Sequence, residues 1–213
     1  MIPLEFSRPT DAEIRETATR WNRTLQQRRS IRAFSPDPIP MDAVVDVIRA
    51  AASAPSGAHK QPWTFVLVTD PAVKTQIRAA AEEEERAFYG GRAGERWLKD
   101  LEPFETNWQK PFLEDAPALI AVFAQRHGED KQDRHYYVNE SVGIAVGFLL
   151  AGLHQVGLAT LTHTPSPMKF LADVLDRPSS ERAFLLIPVG FPADGCRVPE
   201  LERKSLEEVL VRV

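Results

Sequence analysis

The sequence predicts an α+β fold, a sheet core wrapped by helices rather than a doubly wound one. Three observations lead there. Strand-like and helix-like segments mix along the 213 residues without a strict β–α–β rhythm. The longest apolar run, "VGIAVGFLLAGL" at 142–153, reads as a buried core helix. It is too short for a bilayer, which takes about 20 residues. No repeat or low-complexity linker divides the chain, so one domain over 1–213 is expected, with a lead-in over 1–20.

The elements follow in order. Pro9 precedes Thr10-Asp11-Ala12-Glu13, which has capping-box spacing, so a helix starts there and runs to Gln27. "DPIP" makes a turn. Val44, Val45, Val47 and Ile48 repeat at helical spacing and predict a helix over 41–52. "SAPSGAHKQPW" is a loop, and "TFVLVT" is a strand bounded by Asp70-Pro71. Pro71 suits the first turn of the next helix, which carries four consecutive glutamates, Glu82 to Glu85. "PALIAVFA" is a second strand. A long helix over 136–156 is closed by Gly157 in a left-handed cap. "LATLTHT" is a third strand ended by Pro165 and Pro167, 168–175 a short helix, and "AFLLIPVGFP" a fourth strand. The tail from Pro199 is extended.

Composition removes several function classes. A net charge of -4 offers no basic field for nucleic acid. The single cysteine, Cys196, permits no internal disulfide and no multi-cysteine zinc site. The five histidines show no HxxxH pairing, so no metal centre is expected. Phosphate-loop and dinucleotide fingerprints are absent, and "NESVG" lacks the leading glycine of a nucleophile elbow. The N-terminus has no apolar signal region. A soluble, cytoplasmic protein without membrane association is the expectation.

Four stretches remain. "RRSIR" at 28–32 offers planar arginine forks and a hydroxyl suited to phosphate oxygens. Taken alone, it reads better as solvated charge at a helix C-terminus. "APSGAHKQPW" at 54–63 exposes backbone N–H groups, and Gly57 permits close approach of a ligand. "THTP" at 162–165 places threonine hydroxyls at a strand end, or simply reflects their β propensity. "ERKSLEEV" at 202–209 brings Arg203 and Lys204 to a phosphate or a partner chain, or is a solvated tail.

In this order the stretches resemble the nitroreductase family of FMN enzymes. "RRSIRAF…PIPMDAVVDVIRAAASAPSGAHKQPWTFVLV" carries the resemblance. "EEEERAFY…RWLKDLEPFETNWQK", "HYYVNESVGIA", "TLTHTP" and "VPELERKSLEEV" are similar to its iodotyrosine deiodinase branch. The resemblance implies a nitroreductase-like fold with a central, mainly antiparallel sheet, in an intertwined homodimer with FMN at the subunit interface and each C-terminal tail exchanged onto its neighbour. It implies FMN binding by Arg28, Arg29, Ser30, Ile31, Arg32, Pro55, Ser56, Gly57, Thr162, His163, Thr164 and Arg203. Residues 82–112 would form a substrate lid in which Glu85, Tyr89 and Lys110 hold the amino-acid part of a halotyrosine. The N–H of Ala58 would meet its phenolate, and Thr164 would bond flavin N5 and favour single-electron steps. The reaction implied is reductive dehalogenation of iodotyrosine to tyrosine and iodide.

The residue types suit that chemistry. A halotyrosine presents an ammonium, a carboxylate and an acidified phenol, and Glu85 and Lys110 match the first two by charge-assisted hydrogen bonds. Tyr89, four residues after Glu85, shares its helix face. Trp108 is a further aromatic of the lid, or core. Of the other glutamates, Glu82 is expected to pair with Arg86, and Glu83 and Glu84 to meet water. One departure stands out: His163 sits where relatives carry a small residue between two threonines. Strand alternation turns it to the face opposite Thr164. Two alternatives stay open, a generalist NAD(P)H-dependent nitroreductase or flavin reductase and a flavin-sequestering module.

Overall fold

The computed structural model describes residues 1–213. Its elements are α1 (Asp11–Gln27), α2 (Met41–Ala51), β1 (Trp63–Val68), α3 (Pro71–Ala87), α4 (Glu95–Leu101) and α5 (Phe112–Asp115). They continue with β2 (Ala118–Gln125), α6 (Val138–Gln155), β3 (Ala159–Thr160), α7 (Lys169–Val174), β4 (Glu181–Gly190) and α8 (Leu206–Val209). The strands form one four-stranded sheet in the order β1-β2-β4-β3, and every neighbouring pair is antiparallel. The expected α+β class is what the chain adopts.

The sheet is covered on both sides. On β2, Ala118, Ile120, Val122 and Ala124 pack with Val44 of α2 and Val142 and Leu149 of α6. Leu119, Ala121 and Phe123 pack on the other face with Ile77 of α3, Leu113 of α5 and Leu171 of α7. Two buried faces explain why the second strand reads as an unbroken apolar run rather than an alternating one. Each large side chain buried here contributes about 1.5–3 kcal/mol.

The capping box at the start of α1 forms as expected: Thr10 N–H donates to Glu13 Oε2 at 2.7 Å, and Glu13 N–H donates to Thr10 Oγ1 at 3.3 Å. Three boundaries differ from expectation. The sixth helix starts at Val138, because Tyr137 takes a left-handed backbone with φ 48° and breaks the helix before it. The third strand is two residues long, and 161–164 continues as extended chain tied to β4 through His163 and Leu186. The tail is not wholly extended. Ser205 and Glu208 form a capping box that starts the single turn of α8, a signal present in the sequence as Ser-x-x-Glu.

The edge strand β3 gathers the chain that matters for function. Ser30 bridges to Thr160 in parallel, with Ile31 N–H donating to Thr160 O at 3.0 Å. Ile31 and Phe34 anchor this segment in the core on the α3 side. The arginine run therefore lies beside the strand that leads into Thr162 and Thr164.

Other apolar surface stays uncovered. Helix α1 buries no residue, and Trp21, Ile144, Phe148, Leu206 and Val209 are exposed. No helix is long and apolar enough to cross a membrane.

Gly190, the last residue of β4, reports how tightly this sheet end is packed. A Cβ there would lie 2.6 Å from Pro117 Cδ and 3.4 Å from Phe34 Cδ1. The proline ring cannot rotate away. Gly190→Ala should destabilise the protein by about 1–3 kcal/mol. The measurement is urea denaturation, where the midpoint should fall at unchanged slope. An unchanged midpoint would show that Pro117 yields freely.

Candidate active site

The chain from Glu82 to Phe112 leaves α3, turns through a wide π-helical turn at Phe88–Arg92, passes α4 and returns at α5. A buried carboxylate, Glu82, pins both ends of this excursion. Its Oε1 accepts from Arg78 Nε at 2.8 Å and from the Lys110 N–H at 2.9 Å, and Arg86 lies 3.8 Å from Oε2. Burial pushes the Glu82 carboxyl up, but the Lys110 N–H and the two arginines outweigh it and hold it below its ordinary value. The expected contact with Arg86 is present. Glu82 is also buried, because the returning chain at Lys110 covers it. Glu84, expected to meet water, is instead engaged: Arg92 bonds its carboxylate and its carbonyl, each at 2.9 Å, and reaches Ser166 O at 2.6 Å. That contact ties the excursion to the loop after Thr164. Arg86 stacks on Trp108 with its guanidinium 4.1 Å from the ring centroid.

With the backbone of Lys110 fixed, its side chain turns inward. Lys110 Nζ meets Glu85 Oε2 at 3.1 Å, and the two side chains are 4% and 12% exposed. The ammonium also contacts the Asn107 carbonyl, lies 3.4 Å from Thr106 Oγ1 and sits 5.4 Å from the centre of the Tyr89 ring. Burial raises Glu85 from its ordinary value, with Lys110 opposing, and lowers Lys110, with Glu85 opposing. Each partner is thus displaced toward its neutral form. Burial also raises the Tyr89 phenol, opposed by Thr106 and reinforced by Glu85. Glu85 and Tyr89, one helical turn apart, and the distant Lys110 come together, as the resemblance implied.

They line a cavity of about 420 Å³ shared with Arg32, Thr162, His163 and Thr164. That size falls within the usual range for small-molecule sites. Leu161 and His163 are buried while Thr162 and Thr164 are exposed, so the expected alternation holds. His163 N–H donates to Leu186 O at 2.8 Å and its carbonyl accepts from Leu186 N–H at 3.0 Å. Its ring packs edge-to-face on Phe112 at 5.3 Å, and Nε2 has no partner. Burial, with Lys110 and Arg32 nearby, lowers its pKa to about 3, so the ring is neutral near pH 7.

Arg32 also borders a groove formed with Arg28, Arg29, Ser30 and Arg203. None of these four arginines makes an ion pair with a carboxylate. Burial lowers the Arg28 pKa, and repulsion from Arg203 and Arg29 adds to it. Arg203 is held by donating to the carbonyls of Gln26 at 3.2 Å and Arg28 at 2.9 Å. Crowded, unpaired cations at the mouth of a cavity form a cradle for an anion, and a flavin phosphate fits this donor set. Ile31 offers less than expected: its side chain is core and its N–H is committed to Thr160.

The loop at 54–63 lies apart. Pro55, Ser56, Gly57 and Ala58 line neither the cavity nor the groove. Ala58 (φ 49°), His59 (φ 57°) and Gln61 (φ 47°) are all left-handed, and the Ala58 N–H has no acceptor within the chain. Gly57 is required by space: a Cβ would lie 3.0 Å from both Tyr136 O and the Tyr137 ring.

The chain is similar to known proteins over most of its length. Residues 25–191 match the model of the Nitroreductase family. An iodotyrosine deiodinase of Haliscomenobacter hydrossis is 50% identical over 99% of this chain and 96% of its own length. The iodotyrosine deiodinase 1 of Rattus norvegicus is 46% identical over 100% of this chain and 76% of its own. A crystal structure of oxidised iodotyrosine deiodinase bound to FMN and 3-iodo-L-tyrosine superposes with TM-score 0.78 at 32% identity, covering 90% of this chain and 97% of that one. An FMN-bound nitroreductase of Bacteroides fragilis, at 18% identity and TM-score 0.67, shares the fold.

The Glu82 strut is testable through stability. Glu82→Gln should destabilise by about 1–3 kcal/mol near pH 7, because charge-assisted bonds to buried donors are lost. The folded value of Glu82 is depressed, so its contribution is full above the ordinary carboxylate value. It fades as pH falls through the folded value. Urea midpoints of wild type and variant should therefore converge in acid. A gap that stays constant with pH would rule out the ionised strut.

Proposed function

The chain belongs to the nitroreductase family, in its iodotyrosine deiodinase branch, and from that premise we propose that it is an FMN-dependent reductive dehalogenase of halotyrosines acting as a homodimer. The observation that carries the reading is the buried Glu85–Lys110 pair at 3.1 Å. Burying two charges is a weak device for stability, because desolvation consumes the Coulombic gain. Here both groups are displaced toward neutrality. A zwitterion entering between them gives Glu85 an ammonium and Lys110 a carboxylate. The segment 82–112 then acts as the lid over that ligand, pinned by Glu82 and by Arg92 on Ser166. Tyr89 and Trp97 supply aromatic cover in the same cavity.

Arg28, Arg29, Ser30, Arg32 and Arg203 would hold the FMN phosphate. Bound and reduced, FMN supplies two electrons, which with one proton convert the carbon–halogen bond to carbon–hydrogen and release halide. Thr164, exposed in the cavity, would offer its hydroxyl to flavin N5. His163 stays neutral in the wall behind it and takes no part in proton transfer.

The loop at 54–63 supports the homodimer. Its strained backbone and free Ala58 N–H lie outside the chain's own cavity, so the partner's copy would deliver that donor to the substrate phenolate. The exposed faces of α1 and α6 and the apolar tail around α8 supply the surface to be covered between subunits.

Three outcomes are expected. Glu85→Gln should weaken 3-iodotyrosine binding by about 10–100-fold, the equivalent of one charge-assisted hydrogen bond, while the flavin absorbance is kept. Flavin fluorescence quenching measures this, and unchanged binding would exclude the ammonium clamp. Binding by the wild type should fall in acid as the raised Glu85 protonates, and in alkali as the lowered Lys110 deprotonates. The acid limb should vanish in Glu85→Gln. Thr164→Ala should lower iodide release relative to nitroaromatic reduction, assayed anaerobically with chemically reduced protein. An unchanged ratio counts against Thr164 at N5, and no iodide release by the wild type refutes the dehalogenase.

A further inference from the structure

A second concave site lies away from the flavin groove. The chain between β2 and α6 folds over the start of β4, where Ala124 pairs with Arg182. A cavity of about 700 Å³ opens there, lined by Arg126, His127, Lys131, Arg134, His135 and Arg182. No carboxylate lines it, in a chain whose net charge is -4. The four permanent cations make no ion pair, whereas Arg78, Arg86 and Arg92 on the lid side each have one. Of the acids of the same loop, Asp133 binds Lys60, Asp130 accepts from the Gln132 N–H at 2.8 Å, and Glu129 does not line the cavity.

Two further features fit an anion. Val138 and Asn139, the first turn of α6, border the cavity, and this helix has no side-chain N-cap. Its free N–H groups and dipole favour negative charge. The two imidazoles are oriented by backbone: His127 Nδ1 lies 2.7 Å from Gly128 O and His135 Nδ1 lies 3.1 Å from Gln125 O. Nε2 of each ring is left without a protein partner. The His135-Tyr136-Tyr137 stretch marks the branch in sequence, and no residue of this cavity belongs to the flavin cradle.

We propose that this cavity binds a small anion carrying more than one phosphate, a pyrophosphate of the nucleotide kind. Four fixed cations and a helix N-terminus exceed what one phosphate neutralises, and the concave shape suits a small molecule better than a nucleic-acid strand. The inference does not depend on the dehalogenase reading.

The test is titration calorimetry of pyrophosphate, then ADP, into the protein in low-salt buffer with saturating FMN, which keeps the flavin cradle filled. Saturable binding of one anion per chain is expected, weakening as salt rises. Arg134→Ala and Lys131→Ala should each weaken it about tenfold, the effect of one lost charge-assisted bond. Arg134→Lys should retain most of the affinity. Both side chains are exposed and make no hydrogen bond, so the variants should melt with the wild type. Tighter binding of ADP than of pyrophosphate would support a nucleotide, and equal binding a pyrophosphate alone. The proposal is overturned if neither anion binds saturably. Loss of binding in Arg28→Ala but not in Arg134→Ala would also overturn it, as would capture of heparin without pyrophosphate, the mark of a macromolecular surface.

Discussion

The central strand β2 is covered on both faces, and the rest of the molecule is arranged to cover it. Alternate residues enter two separate cores, one under α2 and α6 and one under α3, α5 and α7. Neither core would close alone, because a sheet with one bare apolar face leaves its hydrophobic gain unrealised. This demand places α3 on one side of the sheet, and with it the root of the excursion over 82–112. It also fixes β4 beside β2 and leaves β3 at the edge, where the arginine run can pair with Thr160. The cavity lies where these consequences meet: the excursion from α3, the threonines beyond β3 and Arg32 between them.

Within that frame one carboxylate sets the site's precision. Glu82 is buried, yet it is fully supplied with donors, so the low dielectric around it strengthens its bonds rather than penalising it. It binds the Lys110 backbone, and that position determines where the Lys110 ammonium arrives. Its neighbour three residues on, Glu85, shares the burial without the supply and has Lys110 as its salt-bridge partner. What separates the two carboxylates in this helix is therefore the number of satisfied donors, not exposure or charge.

Much of this was legible in the sequence. Capping signals placed α1, proline and glycine placed the ends of α3 and α6, and period-two alternation placed Thr162 and Thr164 on one face. The juxtaposition of Glu85, Tyr89 and Lys110 followed from resemblance, since no local rule brings residues 85 and 110 together. What the sequence concealed was non-local. Glu82 reads as one more charge of an acidic run with Arg86 for a partner, because the Lys110 backbone that buries it arrives from 28 residues away. The cationic cavity was hidden likewise: Arg126, Arg134 and Arg182 are ordinary surface residues in sequence, and it takes the β2–β4 register and the fold-back of the loop at His127 and Arg134 to make them neighbours. His163 was correctly turned away from Thr164, but its unpartnered nitrogen depends on Phe112 packing across it.

The lid's two charges also explain selectivity on the proposed reading. A ligand bearing only an ammonium would occupy Glu85 and leave Lys110 without its counter-charge, buried at 4% side-chain exposure. A ligand bearing only a carboxylate would strand Glu85 in the same way. Breaking a buried pair by removing one partner costs about 3–5 kcal/mol, more than a surface contact returns. A zwitterion replaces the internal pair with two new ones and strands neither. Discrimination therefore comes from the penalty imposed on the wrong ligand as much as from attraction to the right one. An apolar lid of the same shape would pack at least as well, yet it could not make that distinction.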